Sequence, residues 1–266
     1  MQEGQLKITV LGCGTSVGVP ALGRAGWGDC NPDNPKNRRM RAALLVQSAT
    51  TTILVDAGPD IRNQLLPHQL TKLDAVLITH THSDHIAGLD DLRTYYWPDR
   101  IKIPIYATDT HAKDICTRYP YLFEKKENSP TYFQPPLTIE TMAADQEFTI
   151  GDIAVETLHQ DHGQTFSLGF IFNQLCGYST DVVAMPDHNF TQLASISLWI
   201  VEALRTQEHQ AHSHLSQTLE WIDKVSPKQA YLTHLGLESD YDEINAMTPA
   251  HVEPAYDGLS VILKND

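Results

Sequence analysis

The chain has 266 residues, 41% of them hydrophobic and 20% charged, which is enough apolar material for a packed interior and too much for a largely disordered chain. Lys and Arg number 19 against 33 Asp and Glu, a formal net charge of −14, and a field of that sign repels phosphate polymers and anionic lipid. No nucleic-acid polymer is expected as a partner, and no apolar stretch approaches the roughly 20 residues a membrane span requires.

The segment 1–10 shows no basic region followed by an apolar run, so neither a secretory signal nor a membrane partner is expected, and the expected location is cytoplasmic. The length predicts one domain over residues 1–266. Four scattered cysteines, Cys13, Cys30, Cys116 and Cys176, include no CxxC pair and read as small buried side chains rather than a disulfide framework. Thirteen histidines are more telling, because imidazole is a common metal ligand and its clustering can be read directly.

Along the chain, residues 6–11 alternate as a strand and run into Gly12-Cys13-Gly14-Thr15-Ser16, where glycine permits tight turns. A long irregular loop follows over 21–41, and such loops in compact domains are often functional. Segments 42–47 and 51–55 read as a strand pair ending at Asp56-Ala57-Gly58-Pro59, and 60–66 as a short helix stopped by Pro67. The apolar run 73–78 predicts a buried strand. A helix over 88–96, a strand over 103–107 and a helix over 110–123, capped near Asp109 or Thr110, come next. Residues 137–176 are strand-rich with turns at 151–152 and 161–163, Tyr178 to Asp181 closes a strand, and 196–203 reads as buried. Ser216 is placed to cap a helix through Trp221 and Lys224, and 229–233 reads as a strand ending at His234. Strands and helices alternate in both halves around a strand-rich centre, which predicts a layered α/β fold with functional residues on loops at strand ends.

The run Thr79-His80-Thr81-His82-Ser83-Asp84-His85 leaves the predicted strand 73–78 directly. In extended chain alternate side chains share a face, so His80 and His82 can converge on one metal ion. Asp84 and His85 sit where the chain turns and can serve a second ion. Imidazole and carboxylate suit zinc and also manganese. Three further candidates stand at predicted strand ends: His162 beside Asp161 and Gly163, Asp181, and His234.

With its HxHxDH run followed by a distant His, Asp and His, the sequence resembles the metallo-β-lactamase fold superfamily of metallohydrolases. The resemblance extends from Gly12-Cys13-Gly14-Thr15-Ser16 through His234. Within that superfamily it is most similar to the branch containing the phosphoribosyl 1,2-cyclic phosphate phosphodiesterase of phosphonate degradation, which neighbours the tRNA 3′-end-processing endonucleases. The resemblance implies a four-layer αββα sandwich. It also implies two divalent ions, Zn2+ or Mn2+, with His80, His82 and His162 on one, Asp84, His85 and His234 on the other, and Asp181 bridging. Two departures accompany it. The cysteine-rich zinc loop of the phosphonate-pathway enzyme is reduced here to Cys30, so no structural zinc is expected, and no histidine follows His234 closely.

The implied chemistry is hydrolysis of a small cyclic or nucleotide-like phosphodiester by a hydroxide bridging two cations about 3.5 Å apart, the cations lowering the pKa of water toward about 7. The leaving oxygen needs a proton donor. The segment Ala211-His212-Ser213-His214-Leu215-Ser216 offers two; alignment on the Leu-Ser pair favours His214 and counting favours His212, and His214 is the preferred reading. Arg38 and Arg39 in the basic run 36–41 are candidates for substrate phosphate, and the backbone of 12–16, with Ser16, for an anion nest. The same metal pair would also serve attack on a lactone, thioester or amide, and a non-catalytic metal-binding sensor is the third reading. A homodimer is the expected assembly.

Overall fold

A computed structural model describes Gln2 and residues 4–264. Its strands follow the period-two patterning of the sequence. In chain order they are β1 (Gln5–Gly12), β2 (Ala43–Gln47), β3 (Thr52–Val55), β4 (Ala75–Leu77), β5 (Ile103–Ala107), β6 (Leu137–Thr141) and β7 (Glu147–Ile150). The others are β8 (Ile153–His162), β9 (Thr165–Phe172), β10 (Cys176–Ser179), β11 (Leu198–Glu202), β12 (Gln229–Thr233), β13 (Val252–Pro254) and β14 (Ser260–Lys264). They form two seven-stranded sheets, in the orders β14-β1-β2-β3-β4-β5-β6 and β13-β12-β11-β10-β9-β8-β7. Both are mixed: pairing is antiparallel from β14 to β3 and from β7 to β10, and parallel from β3 to β6 and from β10 to β13.

Alternation along each strand sorts the apolar side chains into separate interiors. Leu44 and Val46 of β2, Ile53 and Val55 of β3, and Leu198 and Ile200 of β11 face a core shared by both sheets, joined by Phe170, Phe172 and Tyr178. The intervening Leu45 and Leu54 face outward onto helices carrying Ile61, Leu65, Ile86 and Ile115. Trp199 and Val201 of β11 pack outward against Leu215, Ile222 and Ile244. Three apolar interiors between four layers make the αββα sandwich implied by the family resemblance. Two hydroxyls from the β2–β3 turn, Ser48 and Thr51, donate to Asp152 Oδ1 at 2.5 and 2.6 Å and clasp the sheets at one end. At the other end the amide of Leu168 on β9 donates to Thr79 O just beyond β4, at 2.9 Å.

The helices depart from the sequence reading in instructive places. In place of one helix over 88–96, a short helix Ser83–Ile86 is followed by a 3-10 turn Leu89–Leu92 and a helix Arg93–Asp99. The chain is held there by backbone bonds to a different segment: Ala57 N–H donates to His85 O at 2.7 Å and Gly88 N–H to Ala57 O at 2.8 Å. The predicted helix 110–123 is two helices, Asp109–Arg118 and Pro120–Phe123, because Pro120 cannot continue the first. Its cap is Thr108, whose hydroxyl accepts from His111 N. The helix Leu215–Val225 begins at an N-cap of His214 rather than Ser216. A helix over Asp187–Gln192, another over Tyr241–Met247, and β13 and β14 complete the fold.

His111 lies buried on the helix Asp109–Arg118 with its ring stacked on Phe166, centroids 4.7 Å apart, and its Nδ1 has no hydrogen-bond partner among the described residues. Burial pulls its pKa down to about 4, so folding favours the neutral ring. Stability from this group is complete above the ordinary value of 6.5 and is lost as pH falls from there toward 4, at no more than about 1.4 kcal/mol per pH unit. The variant His111→Phe should therefore lose less stability than the parent between pH 6.5 and 4 in urea titrations. Parallel losses in the two proteins would show that His111 does not carry this dependence.

Candidate metal centre

The candidate ligands gather where parallel strands end, the usual location of sites in open α/β sheets. His80 and His82 leave β4, Asp84 and His85 lie on the short helix Ser83–Ile86, and His162 is the last residue of β8. Asp181 follows β10 and His234 follows β12. All seven, separated by up to 154 positions in sequence, come together in space. One ligand atom from each of His80, His82 and His162 lies within 4.8 Å of the others, as do those of Asp84, His85, Asp181 and His234.

Asp181 stands between the two groups. Its Oδ1 is 3.9 Å from His80 Nε2, 3.7 Å from His162 Nε2 and 3.5 Å from His234 Nε2, while its Oδ2 is 3.1 Å from His85 Nε2. His162 Nε2 is 3.3 Å from His82 Nδ1, and His85 Nε2 is 3.1 Å from Asp84 Oδ2. Ligand atoms about 2.0 to 2.2 Å from a tetrahedral zinc stand about 3.3 to 3.6 Å from one another, so the spacing suits a pair of adjacent cations. A second observation agrees with this. The Nε2 atoms of His80, His85 and His234 are buried without a hydrogen-bond partner among the described residues. Orphaned buried nitrogens are costly in a folded protein unless something else satisfies them.

On three of the rings the opposite nitrogen faces a protein oxygen, which turns Nε2 toward the centre, whereas His82 presents Nδ1 to His162. His162 Nδ1–H donates to Ala211 O at 2.8 Å. His85 Nδ1 is 2.7 Å from Asp56 Oδ2, and that buried carboxylate also accepts from the amide and hydroxyl of Thr79, each at 2.9 Å. His234 Nδ1 stands 2.8 Å from Glu202 Oε1. Glu202, fully buried, also accepts from Val182 N at 2.6 Å and pairs with His212 Nδ1 at 2.7 Å.

Protonation reflects this lattice. Burial, reinforced by neighbouring imidazoles, lowers the pKa of His80 and His82 and favours the neutral ring. Burial would do the same to His85 and His234, but nearby carboxylates reverse it. Asp181, Asp56 and Asp84 raise His85 well above its ordinary value, and Asp181, Asp84 and Glu202 bring His234 up to about 10. Burial opposes ionisation of Asp84, Asp181 and Glu202, yet the facing histidines hold all three below the usual carboxylate range. Protons and divalent cations thus compete for the same nitrogens, and cation uptake must release protons.

Close backbone approach sets the position of Asp84 and His85. A Cβ added to Gly58 would lie 1.9 Å from Asp84 O, and one added to Gly88 would lie 2.0 Å from Gly58 O. These two glycines let the turn after β3 press directly against the helix that carries the ligands.

A cavity of about 1030 Å³ opens over the centre. His82, Asp84, His162, Asp181 and His234 line it, together with Ser16 and His212. His214 does not; it stands at the N-cap of the helix Leu215–Val225, where its side chain makes no cap hydrogen bond. The two arginines expected to meet substrate also stand elsewhere. Arg39 is buried, with its guanidinium donating to Asn37 Oδ1 at 3.1 Å and Gly236 O at 3.5 Å, and exposed Arg38 lies over the Trp27 ring at 5.0 Å. The amides of Cys13, Gly14 and Thr15 donate to Asp257 Oδ1, Met40 O and Leu235 O, so these three are not an anion nest. Sequence reasoning passed over Asp56, Glu202, Arg205 and His209. The first two anchor ligand rings, and the last two line the cavity. A lone carboxylate at the end of the apolar run 196–203 was the available signal for Glu202, since such a charge is buried only when paired.

Comparison with known proteins agrees with this architecture. A family model described as a beta-lactamase superfamily domain matches residues 51–235. A crystal structure of a diphosphatase from the PhnP family superposes with a TM-score of 0.88 at 29% identity, over 98% of both chains. A Porphyromonas gingivalis protein named octanoyltransferase is 32% identical over 97% of this chain, which spans only 52% of that relative's length. Ribonuclease Z of Staphylococcus carnosus is 24% identical over 84% of this chain and 90% of its own. The chain belongs to the β-lactamase superfamily, with the metallo-β-lactamase fold and its likenesses on the branch of the PhnP family and ribonuclease Z.

Proposed function

We propose that the protein is a dinuclear metallophosphodiesterase acting on a small, polar phosphodiester of cyclic or nucleotide-like form. The observation that carries this reading is the placement of Asp181 between two ligand groups, each of which could hold one cation. The PhnP-family diphosphatase similar to this chain favours phosphorus over carbon as the centre attacked. The cavity lining points the same way: apart from Gly163 and Ala211, every residue there is polar or charged. An acyl chain would find no apolar slot, which disfavours a thioester substrate despite the name of the half-matching relative.

His80, His82 and His162 would hold one cation and Asp84, His85 and His234 the other, with Asp181 shared. Zinc fits the nitrogen-rich set and manganese is the second choice. Two such ions supply a water acidified to about pKa 7 and offset the charge of a bound phosphodiester. The chain's own part is to hold the rings, exclude competing tautomers and deliver a proton. His212 serves as general acid in this reading. It lines the cavity, its Nδ1 is held by Glu202 at 2.7 Å, and its ring stacks on His234 at 5.1 Å, which leaves Nε2 as the atom for proton transfer. The reading takes a second copy of the chain as the partner and the cytoplasm as the location. Among the described residues no helix is long and apolar enough to cross a membrane.

The direct test is turnover of bis(4-nitrophenyl) phosphate against a lactone and a β-lactam, each with zinc and with manganese. Phosphodiester turnover is expected to dominate, and preference for either carbonyl substrate would reverse the assignment. The variant Asp181→Ala should lose cations from the pair and with them all measurable activity. Two ions retained alongside full turnover would refute the shared-ligand role. Replacing His212 by Ala should lower kcat by about 10²- to 10⁴-fold at unchanged metal content, while His214→Ala stays near the parent rate. The reverse pattern would return the acid to His214.

A further inference from the structure

Two side chains outside the ligand set hold Asp181. The hydroxyl of Thr180 donates to Asp181 Oδ2 at 2.8 Å, and that of Ser167 donates to Asp181 O, also at 2.8 Å. Ser167 is held in turn by Gln160, its partner directly across the β8–β9 ladder, whose amide donates to Ser167 Oγ at 2.9 Å and to Thr180 O at 3.1 Å. Gln160, Ser167 and Thr180 are all fully buried. The backbone ladder between β9 and β10 runs from Phe172 opposite Cys176 to Phe170 opposite Tyr178. Past that point the side chains of Ser167 and Gln160 take over from it and carry the hold on to Asp181.

The two anchors act on different freedoms. Ser167 fixes the main chain where Asp181 takes its φ of 54°. Thr180 fixes the carboxylate plane, whose terminal torsion is otherwise broad. One lone pair of Oδ2 is given to the hydroxyl, and that oxygen stands 3.1 Å from His85 Nε2. Oδ1 is left facing His80, His162 and His234 at 3.5 to 3.9 Å. A carboxylate free to swing could place both oxygens on a single cation instead.

We propose that Thr180 is a positioning residue that keeps Asp181 shared between two cations, by holding Oδ2 toward the group of Asp84, His85 and His234. This rests on the dinuclear reading of the centre and adds to it a residue that does not line the cavity and acts through Asp181.

Metal binding, read without turnover, tests the role. Metal-free protein is titrated with zinc against a chromophoric chelator, and bound zinc is counted after dialysis. The parent should take up two zinc ions. Thr180→Val, close in shape but without a hydroxyl, should weaken one of the two steps by about 10- to 100-fold, the usual cost of removing a ligand's hydrogen-bond partner, and leave the other nearly unchanged. Thr180→Ser, which keeps the hydroxyl, should restore the weakened step. Should Thr180→Val fail to fold by circular dichroism, Thr180→Ala removes the same hydroxyl from a smaller side chain and is read in its place. The role is overturned if both steps stay unchanged, if both weaken in parallel, or if Thr180→Ser restores nothing. A parent that takes up a single zinc would instead discard the shared-ligand reading itself, and the role of Thr180 with it.

Discussion

Everything in this molecule's chemistry depends on holding negative charge in its interior. Asp56, Asp84, Asp181 and Glu202 lie buried or nearly so, and each faces an imidazole at 3.1 Å or less except where Asp181 reaches across to several at once. Isolated, any of these carboxylates would cost several kcal/mol or take up a proton. Together they form a lattice in which each acid orients a ring and the facing rings keep Asp84, Asp181 and Glu202 ionised, while burial pushes Asp56 above the usual carboxylate range. Asp56 and Glu202 are as necessary to that lattice as the residues directed at the cations. They fix which nitrogen of His85 and of His234 points inward, and Glu202 couples His234 to His212 through one oxygen.

Backbone geometry at the same place is correspondingly unusual. Asp56, Asp181 and His234 all adopt positive φ, at 63°, 54° and 54°, the first and last directly after β3 and β12 and Asp181 two residues after β10. Such conformations cost of order 1 kcal/mol or more for residues with a Cβ. They persist because the side chains are tied on several sides, and they turn the chain sharply enough to bring three strand ends to one point. Strain concentrated at strand exits is the mechanical counterpart of the charge concentrated there.

The sequence disclosed some of this more readily than the rest. HxHxDH was legible because four ligand types crowd into six positions at a strand exit, where local periodicity alone brings the first pair together. His162, Asp181 and His234 have no such local signature; their places at predicted strand ends made them candidates, and the family resemblance assigned them to the two cations. Strands were easier than helices, since alternation such as that of Leu44, Leu45 and Val46 is a strong signal, whereas the break between Ile86 and Arg93 depends on contacts with Ala57. The choice between His212 and His214 turns on an offset of two residues at a helix start, which sequence alone does not resolve; in the fold His212 lines the cavity and His214 stands at the cap. The basic run 36–41 misled for a related reason. Its guanidinium groups meet partners remote in sequence: Arg39 donates to Gly236 O, and Arg41 forms a forked pair with Asp60 at 2.9 Å.

The first sheet is completed by β14, which pairs along β1 with Gln5 opposite Lys264 and Thr9 opposite Ser260. Next to that pairing, the carboxylate of Asp257 accepts from the amides of Cys13 and Met40 at 3.1 and 2.7 Å. During synthesis the earliest strand must therefore wait, its outer edge unpaired, until β14 has been made. Loop closure over so long a span is slow and exposes an aggregation-prone edge meanwhile. A truncation removing β14 would leave the β1 edge open and harm yield far more than its five residues suggest.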